Sequence, residues 1–149
     1  MDVLLDTNVV IRSINLADSQ RTLVEQALDA LSKKSHSLVI VPQVLYESWV
    51  VSTRPTADNG LGLTAIDANA ALSLFRSRCE FRDDPPGLFA EWERVAIAHQ
   101  VEGKAAHDAR LVAAMNLLGL THLLTFNGRH FARYSSITTL DPQSISSTP

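Results

Sequence analysis

Short apolar runs alternate with longer stretches of helical period along the whole chain. Val3-Leu4-Leu5 is apolar and ends at Asp6, where a helical stretch opens near Thr7. A second helix is predicted from a cap at Asp18 or Ser19, with Leu23, Val24, Ala27, Leu28 and Leu31 on one face and Lys33-Lys34 at its C-terminus. Leu38–Val41 is a continuous β-branched run, the pattern of a strand buried on both faces. Pro42 suits the first position of a helix running to about Thr53, and a turn-rich loop from Arg54 to Gly62 follows. Thr64-Ala-Ile-Asp67 has the spacing of a capping box, opening a helix whose predicted stripe is Ile66, Ala70 and Leu74.

The second half continues the alternation. A short strand is predicted within Glu80–Asp84, before Pro85-Pro86. Helices follow around Gly87–His99 and Ala105–Leu118, with Gly103 between them and Gly119 as the terminating residue. His122–Phe126 and Ile137–Leu140 are the last predicted strands, and the segment from Gln143 onward has the composition of a frayed tail. Strands alternating with helices imply an α/β domain with a mainly parallel sheet over residues 1–142.

Composition narrows the function. The chain has 149 residues, 46% hydrophobic and 19% charged, which excludes disorder and fits one domain with a sizeable core. No window has the length and apolarity of a membrane span, and acids stand at the start where a secretory leader would carry basic residues. Cys79 is the only cysteine, so an internal disulfide is excluded and a reducing, cytoplasmic setting is expected. A net charge of −3 argues against gripping nucleic acid through a generally basic surface.

Ligands of open parallel sheets bind beyond the carboxyl ends of the strands. Asp6-Thr7-Asn8 closes the first strand, and Thr125 and Asn127 close the late one. Asp6 fits a helix cap or a ligand. Glu47 shares a helix face with Val44 and Val51, which suits either a boundary residue or a site acid. Asp108 opens the helix carrying Leu111, Met115 and Leu118, again as a cap or a site acid. Three acids from separate elements meeting at one sheet edge repel one another unless a cation neutralises them. Oxygen donors without a Cys or His set point to Mg²⁺, or Mn²⁺ in its place, rather than zinc.

Leu4-Leu-Asp6-Thr-Asn8, Glu47 in Pro42-Gln-Val-Leu-Tyr-Glu-Ser-Trp49, His107-Asp108-Ala-Arg-Leu-Val-Ala-Ala114 and Leu124-Thr-Phe-Asn127-Gly-Arg-His-Phe131 occur in the order of a PIN domain. The chain resembles that family from about Asp2 to Pro142, and within it the VapC-type toxins of toxin–antitoxin pairs. The resemblance implies a three-layer α/β/α sandwich and a Mg²⁺-dependent endoribonuclease with Asp6, Glu47 and Asp108 as metal acids. It also implies a homodimer and a cognate antitoxin that covers the acidic site. Many relatives carry a fourth acid after the late strand. Here Asn127 and His130 stand there and the next acid is Asp141, which favours one Mg²⁺ with at most a weaker second ion.

Thr7, Asn8, Thr125 and Asn127 are supporting candidates, able to brace a carboxylate or hold a water, or to serve as turn and cap residues. Arg12, Arg110, Arg129 and Arg133 are candidate phosphate contacts, with Arg129 preferred for its closeness to Asn127. Tyr46, Trp49 and Trp92 read as core or interface, and Cys79 as a core filler. Two rivals remain: a catalytically weak PIN-like module binding RNA or protein, and a phosphatase with Asp6 as nucleophile, for which Asn8 replaces the second acid commonly needed.

Overall fold

Three residues of the first strand, Val3, Leu4 and Leu5, have no contact with solvent. A strand so buried needs neighbours on both edges and helices on both faces, and the computed structural model, which describes residues 1–146, supplies them. β1 (Asp2–Leu5) pairs with β2 (Ser37–Ile40) on one side and β4 (His122–Leu124) on the other. β3 (Glu80–Phe81) and β5 (Thr138–Leu140) form the edges, giving the order β3-β2-β1-β4-β5 with every pairing parallel. Leu4 stands opposite Val39 and Leu123 in the central register.

Parallel neighbours require crossover connections, which are right-handed. Going from β1 to β3 the chain steps in one direction, through α1 (Thr7–Ile14), α2 (Arg21–Lys33), α3 (Pro42–Thr53) and α4 (Ala65–Arg76). These helices pack on one another over one face of the sheet. From β3 the chain reverses to β4 through α5 (Leu88–Ala98) and α6 (Ala105–Leu118), which pair on the opposite face. The result is a three-layer α/β/α sandwich. The direction changes between β1 and β4, so the crevice at their carboxyl ends is the switch point of the sheet.

Some boundaries depart from the sequence reading. Asp18 does not cap α2; its Oδ1 accepts from the Gln20 N–H at 2.8 Å and Gln20 is the cap, so the helix starts at Arg21. Thr64 does cap α4, accepting from the Asp67 N–H at 3.1 Å. The α4 stripe is Ala68, Leu72 and Phe75; Ile66 and Leu74 are 81% and 73% exposed. Both stripes satisfy helical spacing, and packing of α4 on α3 selects the one carrying Phe75. Gln143–Ser146, expected as part of the tail, belong to α7 (Pro142–Ser146), which packs back on α2 with Ile145 against the core. The rest of that tail, 147–149, lies outside the described residues. No helix among the described residues is long and apolar enough to cross a membrane.

Candidate active site

The switch-point crevice is occupied by Asp6. It is both N-cap and site residue: Oδ1 accepts from the Thr7 N–H at 2.8 Å and so caps α1, while Oδ2 takes other donors. Thr125, the residue after β4 and 2% exposed, donates its hydroxyl to Oδ2 at 2.6 Å. Asn8 donates to the same oxygen at 3.1 Å and accepts from the Phe126 N–H at 3.2 Å. The Asn127 N–H donates in turn to the Thr125 hydroxyl oxygen at 3.0 Å. The ends of β1 and β4 are therefore joined through one buried carboxylate.

Glu47 approaches from α3 and Asp108 from α6, and with Asp6 they line one cleft of about 360 Å³. Both Glu47 oxygens accept from neutral donors, Thr7 Oγ1 at 2.7 Å and Gln43 Nε2 at 3.0 Å. Asp108 is not a cap: α6 begins at Ala105, and Asp108 lies at the end of its first turn. His130 Nδ1 stands 3.8 Å from its Oδ2. No lysine or arginine among the described residues pairs with any of the three acids. Burial pushes the Asp6 carboxyl above the ordinary range, and the charge of Glu47 adds to this against the hydrogen bonds from Thr125, Thr7 and Asn8. Asp108 is raised by burial and then by the charges of Asp6 and Glu47, with His130 and His107 opposing.

Such a set is a carboxylate cluster short of positive charge. Among the described residues no three His, Cys, Asp or Glu side chains stand close enough together to hold a metal ion by themselves. Mg²⁺ does not require such a cage, since it keeps several waters and is held by one or two carboxylates. The donor chemistry here, oxygen only and underneutralised, fits that ion.

A model of the PIN domain matches residues 3–137. The chain belongs to the PIN domain family. No curated protein matches its sequence at a significant level, whereas solved structures match closely in shape. VapBC2 of Rickettsia felis, in a complex bound to a promoter DNA fragment, is 18% identical, with a TM-score of 0.73 over 95% of this chain and 98% of that one. DNA-bound VapBC of Salmonella typhimurium is 20% identical, with a TM-score of 0.70 over 95% and 98%. VapC20 of Mycobacterium tuberculosis, described as a sarcin-ricin loop-cleaving toxin, is 20% identical, with a TM-score of 0.64 over 89% and 95%. At these identities the likeness is one of fold.

Within this PIN domain the supporting residues Thr7, Asn8, Thr125 and Asn127 reach the cleft or its immediate bracing. Asn127 lines it, alongside His130 and Arg12. Arg129 lines an adjoining hollow that shares Asn127 and His130 with the cleft, and Arg133 donates to the His99 carbonyl. The residue missed by sequence reasoning is Gln43. It is 7% exposed, and its amide nitrogen donates to both Glu47 Oε1 and the His107 carbonyl at 2.8 Å. Arg110 Nη1 donates to the Gln43 oxygen at 3.0 Å while Nη2 pairs with Asp84 Oδ2 at 3.0 Å. The only signal was a polar residue one turn before Glu47, in the first turn of its helix.

The remaining candidates have ordinary roles. Trp92 packs against the core and donates its indole N–H to the Ala106 carbonyl at 2.9 Å. Tyr46 and Trp49 are exposed and are not core residues. Cys79 packs against the core, where burial pushes its thiol up to about 11, which suits a filler and not a nucleophile.

Proposed function

We propose that this PIN domain is a Mg²⁺-dependent endoribonuclease and the toxin of a type II toxin–antitoxin pair. The observation that carries the reading is the meeting of Asp6, Glu47 and Asp108 in one cleft, two of them with raised carboxyl pKa and none paired with a lysine or arginine among the described residues. Membership of the PIN family and the fold shared with VapBC2 and with VapC20, the latter described as a sarcin-ricin loop-cleaving toxin, support it.

In this reading Asp6, Glu47 and Asp108 hold the ion, directly or through its waters, and Mn²⁺ serves in its place. When bound, the metal supplies a Lewis acid that lowers the pKa of a water and offsets charge on the phosphodiester. The protein's own groups fix the acids. Thr125 and Asn8 orient Asp6 Oδ2, and Thr7 and Gln43 orient Glu47. Asn127 offers its side-chain amide to a water in the cleft. Water oxygen joins phosphorus as the P–O3′ bond breaks, leaving a 5′-phosphate and a 3′-hydroxyl. The phosphatase rival loses ground because Asp6 Oδ1 and Oδ2 are already engaged by three donors, with Asn8 itself among them.

Partners follow from the same reading: an RNA substrate, a cognate antitoxin and a second copy of the chain, in the cytoplasm. Exposed apolar surface supports protein partners. Tyr46 and Trp49 line one groove between α3 and α4, and Leu16 and Leu74 line another beside α1 and α2. One observation favours the second reading, a catalytically weak RNA- or protein-binding module: Asn127 lines the cleft where relatives of the resemblance carry an acid. Cleavage of labelled RNA with Mg²⁺ or EDTA, beside Asp6→Asn purified identically, tests the proposal. Metal-dependent cutting that the variant lacks supports the nuclease, and cutting retained by a folded variant rejects the site.

A further inference from the structure

The cleft that gathers the three acids contains a fourth, Asp18, and two side chains able to carry positive charge, Arg12 and His130. His130 faces Asp108. Arg12 makes no hydrogen bond and no ion pair with any described residue. Its guanidinium lies instead 4.0 Å from the centre of the Phe126 ring. Stacking on an aromatic face restrains the planar group and leaves its in-plane N–H donors free. A preorganised fork of free donors is the geometry that binds phosphate through two parallel hydrogen bonds.

Both halves of this pair are tied to the acids. Arg12 follows Asn8 by one turn on α1, so the two share a face of the helix. Asn8 donates to Asp6 and accepts from the Phe126 backbone. Phe126 follows Thr125, which donates to Asp6. These bonds fix the backbone from which both side chains of the stacked pair project, relative to Asp6.

The other arginines singled out in the sequence are engaged or elsewhere. Arg110 bridges Gln43 and Asp84, Arg133 donates to the His99 carbonyl, and Arg129 lines not the cleft but the hollow adjoining it, beside Asp141. Resting on the nuclease reading, we infer that Arg12, stacked on Phe126, binds a backbone phosphate of the RNA strand next to the one presented to the acids. A strand entering a cleft with four carboxylates is repelled along its length, and an ion at the acids relieves this only locally. Arg12 extends the attractive region by one nucleotide contact and sets the path of the strand through the cleft. An acidic segment of a protein partner is the competing occupant.

Binding of a short, labelled, mixed-sequence single-stranded RNA, followed by fluorescence anisotropy in Ca²⁺ over a range of salt, tests this. Arg12→Ala is expected to weaken binding about tenfold and to make the salt dependence shallower by about 0.7 in log–log slope, the value of one phosphate contact on a single strand. Arg12→Lys keeps the charge without the planar fork and is expected to fall between, while Lys34→Ala, at the exposed end of α2 leading into the amino end of β2, binds as the wild type does. Melting curves establish that each variant is folded. Three outcomes overturn the inference: unchanged affinity and slope in Arg12→Ala, equal weakening by Arg12→Ala and Lys34→Ala, or absence of RNA binding by the wild type. Failure of the nuclease reading is separately visible. RNA bound through Arg12 but left uncut in Mg²⁺ and Mn²⁺ would reject cleavage and leave this contact standing.

Discussion

Asp108→Asn is expected to stabilise the fold while it removes activity. The Asp108 carboxyl is raised above its ordinary value of 3.8 by burial first, with Asp6 and Glu47 adding repulsion and His130 and His107 opposing it. Its side chain keeps 34% of its surface in water, so the repulsion is partly screened. Neighbouring like charges at the roughly 4–6 Å over which they move a pKa, at an effective dielectric of about 40–80, repel by roughly 0.7–2 kcal/mol. Two such neighbours, discounted for screening, give about 1–2 kcal/mol at pH 8. For a domain of this size that is a rise in Tm of about 2–8 °C. The assay is thermal unfolding by circular dichroism in EDTA at several pH values.

The sign with pH follows from the raised pKa. The folded state binds the Asp108 proton more tightly than the unfolded state does, so the deficit of the wild type is complete above the folded pKa. It shrinks as pH falls through that pKa and vanishes below the ordinary 3.8. Mg²⁺ is expected to narrow the gap from the other side, because an ion held only by the native acids stabilises the wild type more. A variant that melts below the wild type at pH 8, or a gap that widens as pH falls, refutes the reasoning.

Thr125→Val removes the 2.6 Å donor to Asp6 Oδ2, a bond that holds the carboxyl down against burial, and is expected to raise the Asp6 pKa further. The site needs that carboxyl charged, so the acid limb of the cleavage pH profile should move upward; an unmoved limb would contradict the bracing role. Gln43→Leu strips one donor from Glu47 and leaves the His107 carbonyl and Arg110 without this partner. A loss of about 2–3 kcal/mol in urea unfolding is expected, with cleavage reduced beyond what the folded fraction accounts for. Gly60→Ala places a Cβ 1.9 Å from the Arg54 carbonyl oxygen, in the loop whose Gly62 N–H donates to that same oxygen. It is expected to destabilise by about 1–3 kcal/mol, and a change below about 0.5 kcal/mol would show that the loop yields freely.

The strand runs were legible because burial on both faces leaves a continuous apolar signature, as in Val3–Leu5 and Leu38–Val41. Asp6 was legible because it ends the central strand, where a parallel sheet places its ligands. The α4 face was not, since Ile66–Leu74 and Ala68–Phe75 are both helical stripes and only the position of α3 separates them. Gln43 was not legible either. Its role depends on the His107 carbonyl and Arg110, more than 60 residues away, meeting it across the crevice. Nearness to Asn127 along the chain favours Arg129 over Arg12, yet it is Arg12, from α1, that lines the cleft, while Arg129 lines the hollow beside it.

Mn²⁺ titration by electron paramagnetic resonance, on the wild type and on Asp6→Asn and Asp108→Asn, tests most directly whether the three acids form a cation site. Saturable binding by the wild type is expected, with affinity lost in each folded variant and restored to neither by raising pH. Absence of binding by the wild type, or equal binding by all three proteins, would contradict the account.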